Sequence, residues 1–205
     1  MGQISQSSTA SDRRRIDAKT WEKLRRTVID LFAAGLFHEV GIRDIAKQAG
    51  VGPQTIYKYF GTKEELVFRS CERELQQLTE HLQQTVENNA GDTEAQFAAF
   101  NKTFVEFYVA HRQIAQIIYM NIPMRNLVAN PEYMQHAQIK ILTDLLSRGQ
   151  QQGSVRTDAA PEVLVNLLAG ALGRHLVSRI MSGDDLIPRQ EAATVQQLLW
   201  PLVMV

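Results

Sequence analysis

A single cysteine, Cys71, among 205 residues leaves the chain without an intramolecular disulfide. With no opening cationic run followed by an apolar one, a reducing cytoplasm is the expected compartment. Glu72 and Glu74 follow Cys71 and only Arg69 and Arg73 offset them, so nothing nearby supports a lowered pKa and an inert thiol is expected. Long apolar runs are scarce too. The longest nearly uncharged one, Val163 to Gly173, is too short to cross a bilayer and is followed by Arg174 and His175, so a soluble protein is expected. Net charge is zero, 22 cations against 22 anions, which excludes a nonspecific polycation. No alternating run reads as a strand, and the fold class expected is all-α.

Chemical motifs are equally thin. His38-Glu39 does not open a zinc site, because the position where H-E-x-x-H needs its second histidine is Ile42. Gly50-Val-Gly52 has neither the preceding strand nor the third glycine of a dinucleotide loop. His38, His81, His111, His136 and His175 are scattered with no nucleophile at a useful spacing. The reading is of a non-enzyme with no metal site and no cofactor.

What is present is positional. Residues 1–65 hold 11 Lys and Arg against 8 Asp and Glu, net +3, and residues 66–205 hold 11 against 14, net −3. Such asymmetry is expected when one part of a chain faces nucleic acid. Residues 1–15, rich in Ser, Thr and Gln before the first arginines, read as a flexible arm. Trp21, Leu24, Val28, Leu31, Phe32 and Leu36 then line one face of a first helix, with Lys19, Lys23 and Arg26 opposite. Cations at a helix start oppose its dipole, a cost that an adjacent phosphate backbone would offset.

Ile42, Ile45, Ala46 and Ala49 recur at i, i+3, i+4 and i+7 and predict a short second helix ended by Gly50. Pro53 suits the first position of a third. On that helix Ile56 and Phe60 share one side, while Gln54, Thr55 and Lys58 point the other way between Tyr57 and Tyr59. Amide, hydroxyl, ammonium and phenols on one short helix suit base edges and phosphates in a major groove. A plain helical hairpin with a solvated face is the alternative.

Ile42-Arg-Asp-Ile-Ala-Lys-Gln-Ala-Gly-Val51, Thr55-Ile-Tyr-Lys-Tyr-Phe60 and Lys63-Glu-Glu-Leu66 resemble, in order and spacing, the DNA-binding signature of the TetR family of bacterial transcriptional regulators. Gly41 and Gly52 stand at helix starts where that family usually places Ser or Thr caps. The resemblance implies a helix-turn-helix domain over residues 16–62 and a ligand-binding and dimerisation domain over residues 63–205. It further implies a ligand-responsive transcriptional repressor that binds a palindromic operator as a homodimer. A DNA-binding regulator or architectural protein without a small-molecule effector is the alternative, and a helical enzyme a weaker one.

Beyond the signature, a Thr62-x-x-Glu65 capping box opens a long helix carrying Leu66, Phe68, Leu75, Leu78 and Leu82 as far as Asn88. Phe97, Phe100, Phe104 and Phe107 follow at helical spacing. Ile114 to Ile122 reads as a helix ended by Pro123, and Pro131 opens the next, with Tyr133, Met134, Ile139, Ile141, Leu142, Leu145 and Leu146 inside. Pro161 opens a helix that is apolar almost all round from Val163 to Gly173, and a last helix has Ala193, Val195, Leu198 and Leu199 before it meets Pro201. About nine helices are expected, three N-terminal and the rest a C-terminal bundle.

These readings give three sets of site residues. Gln54 and Thr55 are assigned to base edges, Pro53, Tyr57, Lys58 and Tyr59 to the same DNA face, and Arg43 and Lys63, at helix starts, to flanking phosphates. Segments 161–181 and 189–200 are assigned to a four-helix homodimer interface, with Gly170 and Gly173 permitting close approach. The resemblance places an effector pocket in the bundle, and the candidate walls are Phe100, Phe104, Phe107, Tyr108, Tyr119, Met120, Met124, Tyr133, Met134 and Leu168, with His136 and His175 as polar handles. Aromatic and thioether walls suit a small, largely apolar effector.

Overall fold

The computed structural model describes residues 16–122, 134–183 and 189–205, with backbone only at Met134, Gln135 and 189–192. The expected arm at 1–15 and the prolines expected to close and open helices at 123 and 131 lie outside the described residues. Nine α-helices are present among the described residues: α1 Ala18–Ala34, α2 Ile42–Ala49, α3 Pro53–Phe60, α4 Lys63–Asn88, α5 Thr93–Ala110, α6 Arg112–Gln116, α7 Met134–Gln152, α8 Pro161–Ser182 and α9 Arg189–Leu199. The described β structure is one isolated bridge between Val155 and Met204. The fold is all-α, in two compact units that divide between Cys71 and Glu72.

In the first unit α1 starts where the Asp17 carboxylate accepts from the Thr20 N–H at 3.0 Å. That bonding to Thr20 lowers the Asp17 pKa, as expected for a capping carboxylate. Leu24, Val28 and Phe32 are buried, but the helix stops at Gly35, so Leu36 lies past its end and is exposed. Ile45, Ala46 and Ala49 bury the inner face of α2. Gly50 then takes φ 74° and returns its N–H to the Ala46 carbonyl, a left-handed cap that a side chain would strain. α3 begins at Pro53, buries Ile56 and stacks Phe60 on Trp21 of α1, with ring centres 5.3 Å apart. The expected capping box at α4 is present on one side: the Glu65 N–H donates to Thr62 Oγ1 at 3.1 Å, while the Glu65 carboxylate accepts from Arg69 Nε at 2.9 Å.

The second unit is built on Leu75, Leu78, Leu82 and Val86 of α4, Phe97, Phe100 and Val105 of α5, Leu142, Leu145 and Leu146 of α7, and Leu164, Leu168, Leu172 and Leu176 of α8. Polar side chains register these helices. Gln138 of α7 donates to the Leu75 carbonyl at 3.4 Å and to Thr79 Oγ1 at 3.3 Å, and Asn101 of α5 donates to Gln196 Oε1 of α9 at 2.7 Å. After α9 a 3-10 turn, Trp200–Leu202, lays Trp200 against Phe97 with ring centres 5.4 Å apart. The chain end then returns to the α7–α8 connection, where the Arg156 N–H donates to the Val203 carbonyl at 2.8 Å.

Four local expectations need correction. The helix expected over Ile114 to Ile122 is instead α6 followed by a π-helical turn, Ile117–Asn121, in which the Ile122 N–H reaches back to the Ile117 carbonyl at 3.0 Å. Ile139, expected inside, is exposed, because its helix turns Leu142, Leu145 and Leu146 inward. Gly173, assigned to a subunit interface, is buried in its own chain: a Cβ there would lie 3.1 Å from Tyr119 Cε1. Finally, the apolar stretch that stops at Gly173 in sequence belongs to a 22-residue helix, long and apolar enough by length and composition to cross a membrane. One face of that helix is occupied by the bundle core, and the other carries Asn166, Arg174 and Ser178, which lipid would not accommodate.

Candidate functional site

The outer face of α3 follows from burial of its inner one. With Ile56 fixed in the core and Phe60 on Trp21, the helical rotation turns Gln54, Tyr57 and Lys58 outward beside the exposed Pro53, and leaves Thr55 and Tyr59 half-buried at the margins. Tyr57 keeps 54 % of its surface exposed. The Lys58 ammonium lies 5.6 Å from the Tyr59 ring centre, within cation–π range. Arg43, on the first turn of α2, is exposed as well. The exposed side chains on these two helices, which the Gly50 turn joins, are polar, cationic and aromatic.

Lys63 is placed differently. Its ammonium donates to the Phe37 carbonyl at 2.6 Å and the Val40 carbonyl at 3.0 Å, and lies 4.3 Å from the Phe37 ring centre. Sequence reasoning also missed Arg25, which is buried, donates to the Ser70 carbonyl at 3.0 Å and pairs with Glu22. Helical phase could have found it: Trp21, Arg25, Val28 and Phe32 follow one another at spacings of four, three and four, so Arg25 sits on the core-facing stripe.

An outer surface of this kind on the second of two short helices joined by a glycine turn has a known counterpart. Residues 27–69 match the family model for bacterial regulatory proteins of the tetR family. That segment carries the DNA-binding signature of the family, and the chain is similar to tetR-family bacterial transcriptional regulators. Among similar proteins, the fatty acid metabolism regulator protein of Bacillus subtilis is 22% identical over 163 residues, covering 78% of this chain and 84% of that protein. The transcriptional repressor KstR2 of Mycobacterium tuberculosis is 28% identical over 144 residues, covering 65% of this chain and 70% of that protein. The fold is shared with the regulator FadR from Bacillus subtilis in complex with stearoyl-CoA, with a TM-score of 0.72 and 19% identity over 87% of this chain and 97% of that one. It is shared too with the ketosteroid transcriptional regulator KstR2 of Mycobacterium tuberculosis, with a TM-score of 0.64 and 18% identity over 93% of this chain and 97% of that one.

In the second unit, several of the residues assigned to an effector pocket come together. Phe100 stacks on Phe104 at 6.3 Å, Phe104 meets the edge of Tyr108 at 4.9 Å, and Tyr108 meets Phe107 at 5.2 Å and Tyr119 at 5.3 Å. Phe100, Phe107, Tyr108 and Leu168 are buried and Phe104 is half-buried. Tyr119 combines two properties. Burial pushes its phenol pKa well above the ordinary tyrosine value, against a lowering hydrogen bond with Tyr108, yet the residue keeps intermediate accessible surface. Met120 turns outward, 39 % exposed, one position along the π turn. Met124, Tyr133 and the side chain of Met134 lie outside the described residues. His136 and His175 are half-buried. Among the described residues no three His, Cys, Asp or Glu side chains gather as a metal site.

Proposed function

We propose that the protein is a ligand-responsive repressor that binds a palindromic DNA operator as a homodimer and is released by a largely apolar effector. The observation that carries this is the outer face of α3, where Gln54, Tyr57 and Lys58 stand exposed on a helix whose inner face is locked by Ile56 and Phe60. Gln54 and Thr55 read base edges. Pro53, Tyr57, Lys58, Tyr59 and Arg43 complete the DNA face and position the helix on phosphates. Residues 16–62 are the DNA-binding domain and residues 63–205 bind effector and partner. The process is cytoplasmic binding and release, with no catalytic step.

Dimerisation is supported by the uncovered face of α8. Val163, Leu167 and Met181 are exposed on it, at helical spacing with Gly170 and Ala171, and Leu198 of α9 is exposed too. Within one chain nothing among the described residues hides that stripe, so a second copy is the simplest cover, and twofold symmetry presents two α3 helices to two half-sites. The effector reading is supported by the Phe100, Phe104, Tyr108 and Tyr119 rings. It is supported also by similarity to a regulator in complex with stearoyl-CoA and to one named a ketosteroid transcriptional regulator. An acyl chain or a fused-ring skeleton suits such walls. Release requires the effector to favour one arrangement of the two α3 helices over the other, and α4, which begins in the first unit and ends in the second, is the element to carry the change.

The test is to select duplexes from a random-sequence pool with the purified protein and measure binding by fluorescence anisotropy. Gln54→Ala and Tyr57→Ala should each weaken binding by at least tenfold, about 1.4 kcal/mol. Wild-type affinity in both variants refutes the assignment of α3. Acyl-CoAs and steroids are then titrated into the complex. If none releases the DNA or shifts the melting temperature, the protein is a regulator without such an effector.

A further inference from the structure

Lys63 is the first residue of α4, three positions past the end of α3, and its place in the sequence suggests a phosphate contact. Its geometry points elsewhere. Both carbonyls that receive its ammonium, those of Phe37 and Val40, belong to the turn between α1 and α2, 26 and 23 residues earlier in the chain. An ammonium has three donors; two are spent on backbone oxygens, and the charge sits 4.3 Å from the centre of the Phe37 ring. Moving that group to a phosphate would exchange two charge-assisted hydrogen bonds and a ring contact for one exposed, salt-screened contact. At the other end of α2 the Lys23 ammonium of α1 lies 3.1 Å from where a Gly50 Cβ would stand, beside the carbonyl end of that helix, where a cation is favoured. Two lysines from flanking helices therefore bracket α2, one at each end.

We propose that Lys63 is a positioning residue for DNA recognition, holding the α1–α2 turn and hence α2 and α3 at the start of α4, and that it neutralises no phosphate. The proposal rests on the DNA-binding reading above. It predicts that the charge of Lys63 contributes to affinity without contributing to the salt dependence of affinity, because only cations that neutralise phosphates release counterions.

The experiment uses the full-length protein and a duplex recovered from a random-sequence pool by the wild type. Dissociation constants are measured by anisotropy over a NaCl series for wild type, Lys63→Met and Lys63→Gln. Lys63→Met should weaken binding about tenfold at every salt concentration, the scale of a lost charge-assisted bond, with a log–log slope equal to that of wild type. Lys63→Gln keeps a neutral donor for the carbonyls and should recover part of the loss at the same slope. A slope shallower by about 1.8 in Lys63→Gln, two subunits at about 0.9 per phosphate, overturns the proposal, and so does wild-type affinity in both variants. If Lys63→Met fails to fold, Lys63→Gln alone decides through its slope and affinity. A wild type that recovers no duplex refutes the DNA-binding reading and the proposal with it, whereas a binding wild type with a flattened variant slope refutes the proposal alone.

Discussion

Leu167 and Leu168 are adjacent on α8, yet Leu167 is 64% exposed and Leu168 is 3% exposed. Replacing each by alanine therefore separates what the partner subunit covers from what the chain covers itself. Fully burying a leucine side chain is worth about 1.5–3 kcal/mol. Since roughly two-thirds of that surface of Leu167 remains to be covered, each copy stands to gain about 1.5 kcal/mol at an interface, and the twofold axis doubles it to about 3 kcal/mol. Leu167→Ala should thus raise the dimer dissociation constant by about two orders of magnitude, at 1.4 kcal/mol per decade, and leave the unfolding of the monomer nearly unchanged. Leu168→Ala should do the reverse, at a cost of about 2–5 kcal/mol in folding stability. Sedimentation equilibrium over a dilution series, paired with urea unfolding of each variant, reads both quantities. The reasoning fails if wild type is a monomer at micromolar concentration, or if Leu167→Ala shifts the dimer constant by less than about threefold.

Three further perturbations test the interior. Gly149→Ala puts a Cβ 2.5 Å from Val155 Cγ2 and 2.8 Å from Thr93 Cγ2, and this overpacking should lower stability by about 1–3 kcal/mol, read as a fall in melting temperature. Phe104→Trp enlarges a half-buried ring stacked on Phe100, and should abolish release of DNA by an acyl-CoA or steroid while leaving effector-free operator affinity near wild type; loss of both together means the stripe is core only. Tyr119 holds its proton beyond the ordinary tyrosine range because burial raises its pKa. Its contribution is therefore fully present below the unfolded-state pKa of about 10 and is lost as pH rises beyond it, since the unfolded chain then sheds the proton first. Tyr119→Phe should flatten the alkaline fall of stability between about pH 10 and 11 by up to 1.4 kcal/mol per pH unit, and parallel curves for variant and wild type would remove the buried-phenol reading.

Local order is what the amino-acid sequence determined alone. Helical phase at Leu24, Val28 and Phe32, at Ile45, Ala46 and Ala49, and at Leu75, Leu78 and Leu82 predicts buried faces that the structure has, because a 3.6-residue period leaves an apolar stripe nowhere to go but inward. Gly50 and Pro53 mark helix ends for reasons internal to a few residues, a positive φ in one case and a missing N–H in the other. The polar face of α3 follows once Ile56 and Phe60 are placed. Tertiary structure decided whatever depends on a partner far along the chain. The Lys63 ammonium could have faced a phosphate until the Phe37 and Val40 carbonyls were brought within 3.0 Å. Gly173 could have served a subunit interface until Tyr119 closed on it, and the π turn at Ile117–Asn121 that carries Tyr119 has no periodic signature. Ile139, Leu167 and Leu198 are apolar residues at helical spacing like those that are buried, but exposure depends on which neighbouring helix covers a stripe, and covering is a property of packing between distant segments.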